Sequence, residues 1–212
     1  MLIHFLRALP FFFCLSFINH TDSKLPSPLA KFSQEWNDSK YSKCNTADNV
    51  NYMSAREKEI IYILNLLRTD PKLFANTVVK KYPDVSGNVY LRKTKEYKSL
   101  MNTLQKMKPL PLLNPDPLCY ASAQCHAYSS GRRSYIGHDR KESSCRSKKH
   151  FEGECCDYGH DVPIDIVMSL LIDERVPSLI HRMICLGDFK KMGASIQPHK
   201  AYRNNAVLDF VY

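Results

Sequence analysis

Apolar residues recur at helical spacing along most of this chain and at strand spacing only in its C-terminal third, a pattern that predicts an α+β fold. Ser54-Ala55-Arg56-Glu57 reads as a capping box, and Ile60, Ile63, Leu64 and Leu67 after it mark one face of a first core helix. Asp70-Pro71 supplies an N-cap and a first-turn proline for a second helix through Leu73, Phe74, Thr77 and Val78, which Pro83 to Gly87 should end. A basic helix is expected from Thr94 to Met107, with Leu100, Leu104 and Met107 inward. Asp116-Pro117 opens another, through Ala121, Gln124, His126 and Ala127 to Gly131.

Further on, Ile166, Val167, Leu170 and Leu171 predict a helix that runs into Asp173 and Glu174. Val176 is pushed out of the helical region by Pro177, after which Ser178 can cap a short helix containing His181 and closed by Gly187. Strand signals occupy 151–156, 193–197 and 206–211, the last two forming a hairpin with Asn204-Asn205 as turn material. Helices before and between these strands predict a three-stranded antiparallel sheet covered on both faces.

The amino terminus changes the picture of where the protein works. Arg7 precedes an unbroken apolar run of eleven residues, Ala8 to Ile18, too short to span a bilayer. It reads as the apolar region of a secretory signal peptide over 1–22, with an uncleaved anchor as the alternative. Residues 23–53 are polar, with Pro26 and Pro28, and are expected to be a flexible lead-in without chemistry, although Asn37-Asp38-Ser39 is a glycosylation sequon. A chain of 212 residues that is 44% hydrophobic supports one core, placed at 54–212.

Secretion makes disulfides the expected use of the seven cysteines that follow the leader, and the odd number leaves at least one without an intrachain partner. Cys119 and Cys125 lie about 9 Å apart along a shared helix and should not bridge each other. No C-x-x-C occurs, which argues against a structural zinc site made of cysteines. The net charge of +9 suits an anionic lipid or polysaccharide surface or simply a solvated basic face, while the motif content of a nucleic-acid module is missing.

Asp173 and Glu174 would stand at the negative end of a helix dipole, so another group is expected to hold them. His181 reads either as a buried histidine bonded to a backbone carbonyl or as a ligand-binding one. The wording here, Asp173, Val176-Pro177-Ser178, His181-Arg182, Phe189 and Gly193, resembles the CAP superfamily of cysteine-rich secretory, antigen 5 and pathogenesis-related proteins, in its single-domain bacterial-like form. Gly137-His138 and Gly153-Glu154 precede it in the family's order, with Cys155 where an asparagine usually follows, and Arg68 falls at a family position in LNLLRTDPKLFA.

The resemblance implies an α-β-α sandwich and a cleft lined by His138, Glu154, Asp173 or Glu174, and His181. It implies a secreted, non-catalytic protein that binds a small lipid, a sterol or a cell-surface partner, with His126 as packing support. His138 and His181 could hold a divalent cation, zinc or magnesium, and the alternative reading is a divalent-metal-dependent hydrolase using the same cleft. A thiol hydrolase would have to use Cys155.

Overall fold

The computed structural model of the protein describes residues 26–212, so the expected leader at 1–22 lies outside the described residues. Helix α1 (Ala55–Thr69) starts at the expected capping box, in which Ser54 and Glu57 each satisfy the other's backbone N–H. Glu57 is itself buried and also accepts a bond of 2.9 Å from the Ile196 amide, which ties the start of α1 to the sheet.

Asp70 caps α2 (Pro71–Phe74), which passes through a π-turn at Ala75–Val79 into α3 (Lys80–Val85). The helix ends at Val85, within the Pro83–Gly87 segment expected to end it, and Pro83 itself lies inside its last turn. A proline cannot donate to the carbonyl four residues back, and here the Tyr97 hydroxyl donates to that Val79 carbonyl instead, at 3.0 Å. Helix α4 (Lys95–Lys106) follows, capped by Thr94.

Strand β1 (Asn114–Pro115) leads into α5 (Pro117–Arg133), capped by Asp116, and a short α6 (Ser143–Arg146). After β2 (Gly153–Tyr158) come α7 (Pro163–Ile172), α8 (Ile180–Cys185), β3 (Lys191–His199) and β4 (Arg203–Val211). The sheet order is β1-β3-β4-β2. Strands β2, β4 and β3 are antiparallel as expected, and the sheet is extended by β1, paired parallel to β3. A two-residue strand has no alternation to detect, and only its bonds to the β3 edge make it one.

Helix α5 lies on one face of the sheet against Cys156 and Val207, while Met192, Ala194, Leu208 and Phe210 face the main core that contains α1 and α7. Gly193 makes the first contact possible, because a Cβ there would stand 2.1 Å from the Tyr120 amide nitrogen of α5. The expected turn at Asn204-Asn205 sits instead at 200–202. Asn205 is fully buried in β4 and donates to the Ala127 carbonyl and to Ser130 of α5, so its amide fastens helix to sheet.

The lead-in expected to be flexible at 23–53 is packed over its described part. Leu29, Phe32, Trp36, Tyr41, Cys44 and Ala47 are buried in the main core. The Trp36 indole donates to Thr77 at 3.1 Å, the Tyr41 hydroxyl to the α2 cap Asp70 at 2.9 Å, and Asn65 of α1 to the Cys44 carbonyl at 3.0 Å. Trp36 lies in one 3₁₀ turn, Gln34–Asn37, and Tyr41 and Cys44 in a second, Ser39–Cys44, while Leu29, Phe32 and Ala47 lie outside both.

Candidate functional site

The site begins where α7 ends. Asp173 adopts a left-handed conformation (φ 56°, ψ 44°) that turns the chain and points its carboxylate at the next helix. One oxygen accepts from the backbone amides of His181 at 3.0 Å and Arg182 at 3.4 Å, and the other meets His181 Nδ1 at 2.7 Å. Arg182 returns the favour from α8, donating to the Leu171 and Ile172 carbonyls at the end of α7. An acid at the positive end of α8 and a base at the negative end of α7 each complement a dipole, which resolves the awkward place of Asp173 in the sequence. Ser178 makes no cap. A charged carboxylate that receives two amides is the stronger anchor.

The second half comes from β2 and the loop before it. His138 Nδ1 lies 2.7 Å from Glu154 Oε1, and the other Glu154 oxygen is ion-paired with Arg140, whose guanidinium also reaches Asp209 at 3.3 Å. Arg140, Glu154 and Asp209 are all buried, whereas the His138 side chain is 55% exposed. Burial pushes Glu154 upward, but the hydrogen bonds from His138 and Arg140 and the Arg140 charge outweigh it and hold the carboxyl down at about 2. Burial and the charge of Glu154 push Asp209 well above the usual carboxylate range, although it shares the Arg140 guanidinium with Glu154.

The hydrogen bond to Glu154 raises His138 above its ordinary 6.5, against the opposing effect of burial. A raised histidine contributes stability that is complete below its unfolded value and is lost as pH climbs through the folded one; a depressed carboxylate contributes stability that is lost as pH falls through its own. The pair should therefore contribute most between the ordinary values of about 4.5 and 6.5. An NMR titration of the His138 ring is expected to show a midpoint above 6.5 that drops in Glu154→Gln. An unchanged midpoint in the variant would refute the assignment of Glu154 as the cause.

His138 and His181 come together, with ring centroids 6.3 Å apart and planes inclined by 35°. Each engages a carboxylate through Nδ1, which leaves Nε2 as the free donor of a carboxylate-backed imidazole, an arrangement suited to zinc. Two imidazoles on one tetrahedral zinc place their ring centres about 5 Å apart, so the pair would have to close by about 1 Å to share an ion. Magnesium, which takes oxygen ligands, does not fit two nitrogens. Among the described residues, the three-donor groups are Asp116, Cys119 and His150, and His126, Glu154 and Cys156, and neither contains His138 or His181.

Glu174 does not join the pair. It accepts from the Tyr90 hydroxyl at 2.9 Å and stands on the rim of a cavity of about 410 Å³ beside His181, lined by Tyr82, Tyr158, Leu170, Ile172 and Val176. A third histidine–acid pair that sequence reasoning missed, His160 with Asp157 at 3.0 Å, opens into the same cavity. The spacing of three residues with a glycine between them was its only signal. His138 lines a different depression, basic and formed with Arg140, Lys141, Arg146 and Lys149. The expected single cleft is thus a seam of two histidines between a tyrosine-rich cavity of mixed polarity and a basic groove.

In the closed structure Cys155 cannot supply a nucleophile to a ligand in the cleft. It is fully buried, burial and the neighbouring Cys185 push its thiol well up, and its sulfur donates to the His181 carbonyl at 3.6 Å. His126 is buried and bonded to the Gly137 carbonyl at 2.9 Å, a supporting contact behind the loop that carries His138.

Comparison with protein-family models, with curated proteins and with solved structures found no match, so the site is read from its own geometry.

Proposed function

We propose that this protein is a secreted, non-catalytic binding module of the CAP type that takes up a small amphipathic lipid. The apolar part of the ligand would enter the cavity beside Leu170, Ile172 and Val176, and its polar or anionic end would cross the His138–His181 seam toward Lys141, Arg146 and Lys149. The observation that carries this reading is that a cavity with an apolar wall of Leu170, Ile172 and Val176 and a basic groove meet at one pair of adjacent imidazoles. Sites for small molecules are mostly apolar with a few convergent polar groups, and both parts occur here. A sterol, with a neutral polar end, would use the cavity alone.

The second reading, a divalent-metal-dependent hydrolase, is favoured by the two carboxylate-backed imidazoles. His138 and His181 would hold zinc, which would polarise a carbonyl or activate water. The hydrolase would still need a third protein ligand, and the described three-donor groups do not offer one to this pair.

Fluorescence titration with a fluorescent fatty acid and a fluorescent sterol tests the proposal. Saturable binding is expected. In Val176→Asp, which sets a charge at the wall of the cavity, affinity should fall by about tenfold or more, since an unpaired charge against an apolar ligand is costly. Arg146→Glu with Lys149→Glu should weaken the fatty acid and spare the sterol. Absence of saturable binding for both probes would refute the reading.

A further inference from the structure

Five cysteines are free and buried in the described structure, beside one disulfide, Cys125–Cys145. Three of the five face other chemistry. Cys44 meets the Thr69 hydroxyl at 3.2 Å, Cys156 lies 3.8 Å from His138 Nδ1, and Cys119 neighbours Asp116. The remaining two, Cys155 and Cys185, lie in one core where α8 packs on β2. Cys155 points from β2 into this main core beside α8, where Cys185 is also buried. Both are fully buried. The packing around them is close: a Cβ on Gly153 would stand 3.0 Å from Ile184, and Cys155 already touches the carbonyl of His181, one helical turn before Cys185.

We propose that Cys155 and Cys185 are the site of a second disulfide, formed by exchange with a low-molecular-weight disulfide such as glutathione disulfide, which clamps α8 onto β2. One thiol, as its thiolate, attacks a sulfur of glutathione disulfide and expels a glutathione thiolate. The second then attacks the mixed disulfide and expels the other. The two cysteines give up two protons and two electrons, and the reagent leaves as two molecules of glutathione thiol. Because both sulfurs are buried, exchange takes place before α8 closes or when it opens locally.

The clamp acts on the histidine seam. His181 shares one turn of α8 with Cys185, and Glu154, the partner of His138, is adjacent to Cys155 on β2. Oxidation would join the elements that carry the two histidine–acid pairs, limiting the relative motion needed to bring the rings closer than 6.3 Å. This inference stands on the packing of α8 against β2 and does not depend on which ligand the cavity takes.

The test uses the full chain refolded in a buffer of reduced glutathione and glutathione disulfide. Free thiols are trapped with N-ethylmaleimide in denaturant, and the unreduced peptides are mapped by mass spectrometry. The expected result is a peptide pair joined through Cys155 and Cys185, lighter by two hydrogens than its separate reduced parts, with maleimide on Cys44, Cys119 and Cys156. Maleimide on both Cys155 and Cys185 while Cys125–Cys145 stays intact would overturn the proposal. So would a map that joins either of them to another cysteine.

Discussion

Deleting residues 26–53 is expected to abolish the cooperative unfolding transition of the protein. The segment contributes Leu29, Phe32, Trp36, Tyr41, Cys44 and Ala47 to the main core, and its removal would uncover the faces of α1 and of the helix after Asp70 that they cover. Full burial of one large apolar side chain is worth about 1.5–3 kcal/mol, so several together rival the 5–15 kcal/mol by which a domain is typically stable. The single substitution Trp36→Ala should by itself cost about 3–5 kcal/mol, because it removes the indole from a site closed by Tyr41 and Phe74 and leaves Thr77 without its donor. A circular-dichroism melt of the truncated protein is the decisive measurement. A sharp transition near the temperature of the parent would show that the segment packs without supporting the core. Trp36 is the one tryptophan in the chain, so a red shift of intrinsic fluorescence on unfolding reports on this contact directly.

The second large effect is expected at Arg68. Its side chain is fully buried and donates to four carbonyls: Pro111 at 2.8 Å, Cys185 at 3.1 Å, Gly187 at 2.8 Å and Phe189 at 3.0 Å. Burial pushes the guanidinium down to about 10, still high enough to keep it charged at neutral pH. Arg68→Met keeps much of the volume and removes every donor. A buried carbonyl without a partner costs about 1–3 kcal/mol, so even with partial relaxation the variant should lose about 4 kcal/mol or more. Arg68→Lys should recover little, since one ammonium cannot reach four carbonyls spread around a planar fork. Urea denaturation followed by circular dichroism reads both. A loss below about 1 kcal/mol in Arg68→Met would mean that the carbonyls find other partners. Because three of them, Cys185, Gly187 and Phe189, lie at or just after the end of α8, the variant should also loosen the segment that presents His181.

What the sequence determined by itself is local. The capping box at Ser54 and the Asp-Pro starts at 70 and 116 lie where their own side chains close the first turn of a helix, and such contacts reach no further than three residues. The antiparallel arrangement of β2, β3 and β4 was legible for a similar reason, as each strand is long enough to state its pattern. Tertiary structure decided the rest. The apolar residues of the lead-in are spread over short turns in a polar, proline-bearing stretch, and they became a core element only through burial against the helices. Pro83 passed inside a helix because Tyr97, from another helix, took over the carbonyl it could not bond. Motif order named His138, Glu154, Asp173 and His181, but no spacing could say that α8 docks on β2 closely enough to set the two rings 6.3 Å apart, or that Asp173 and not Glu174 meets His181. A left-handed turn and a reciprocal exchange of caps made that choice, and both exist only once α7 and α8 have packed, because hydrogen bonds between elements depend on positions that no local pattern in the chain encodes.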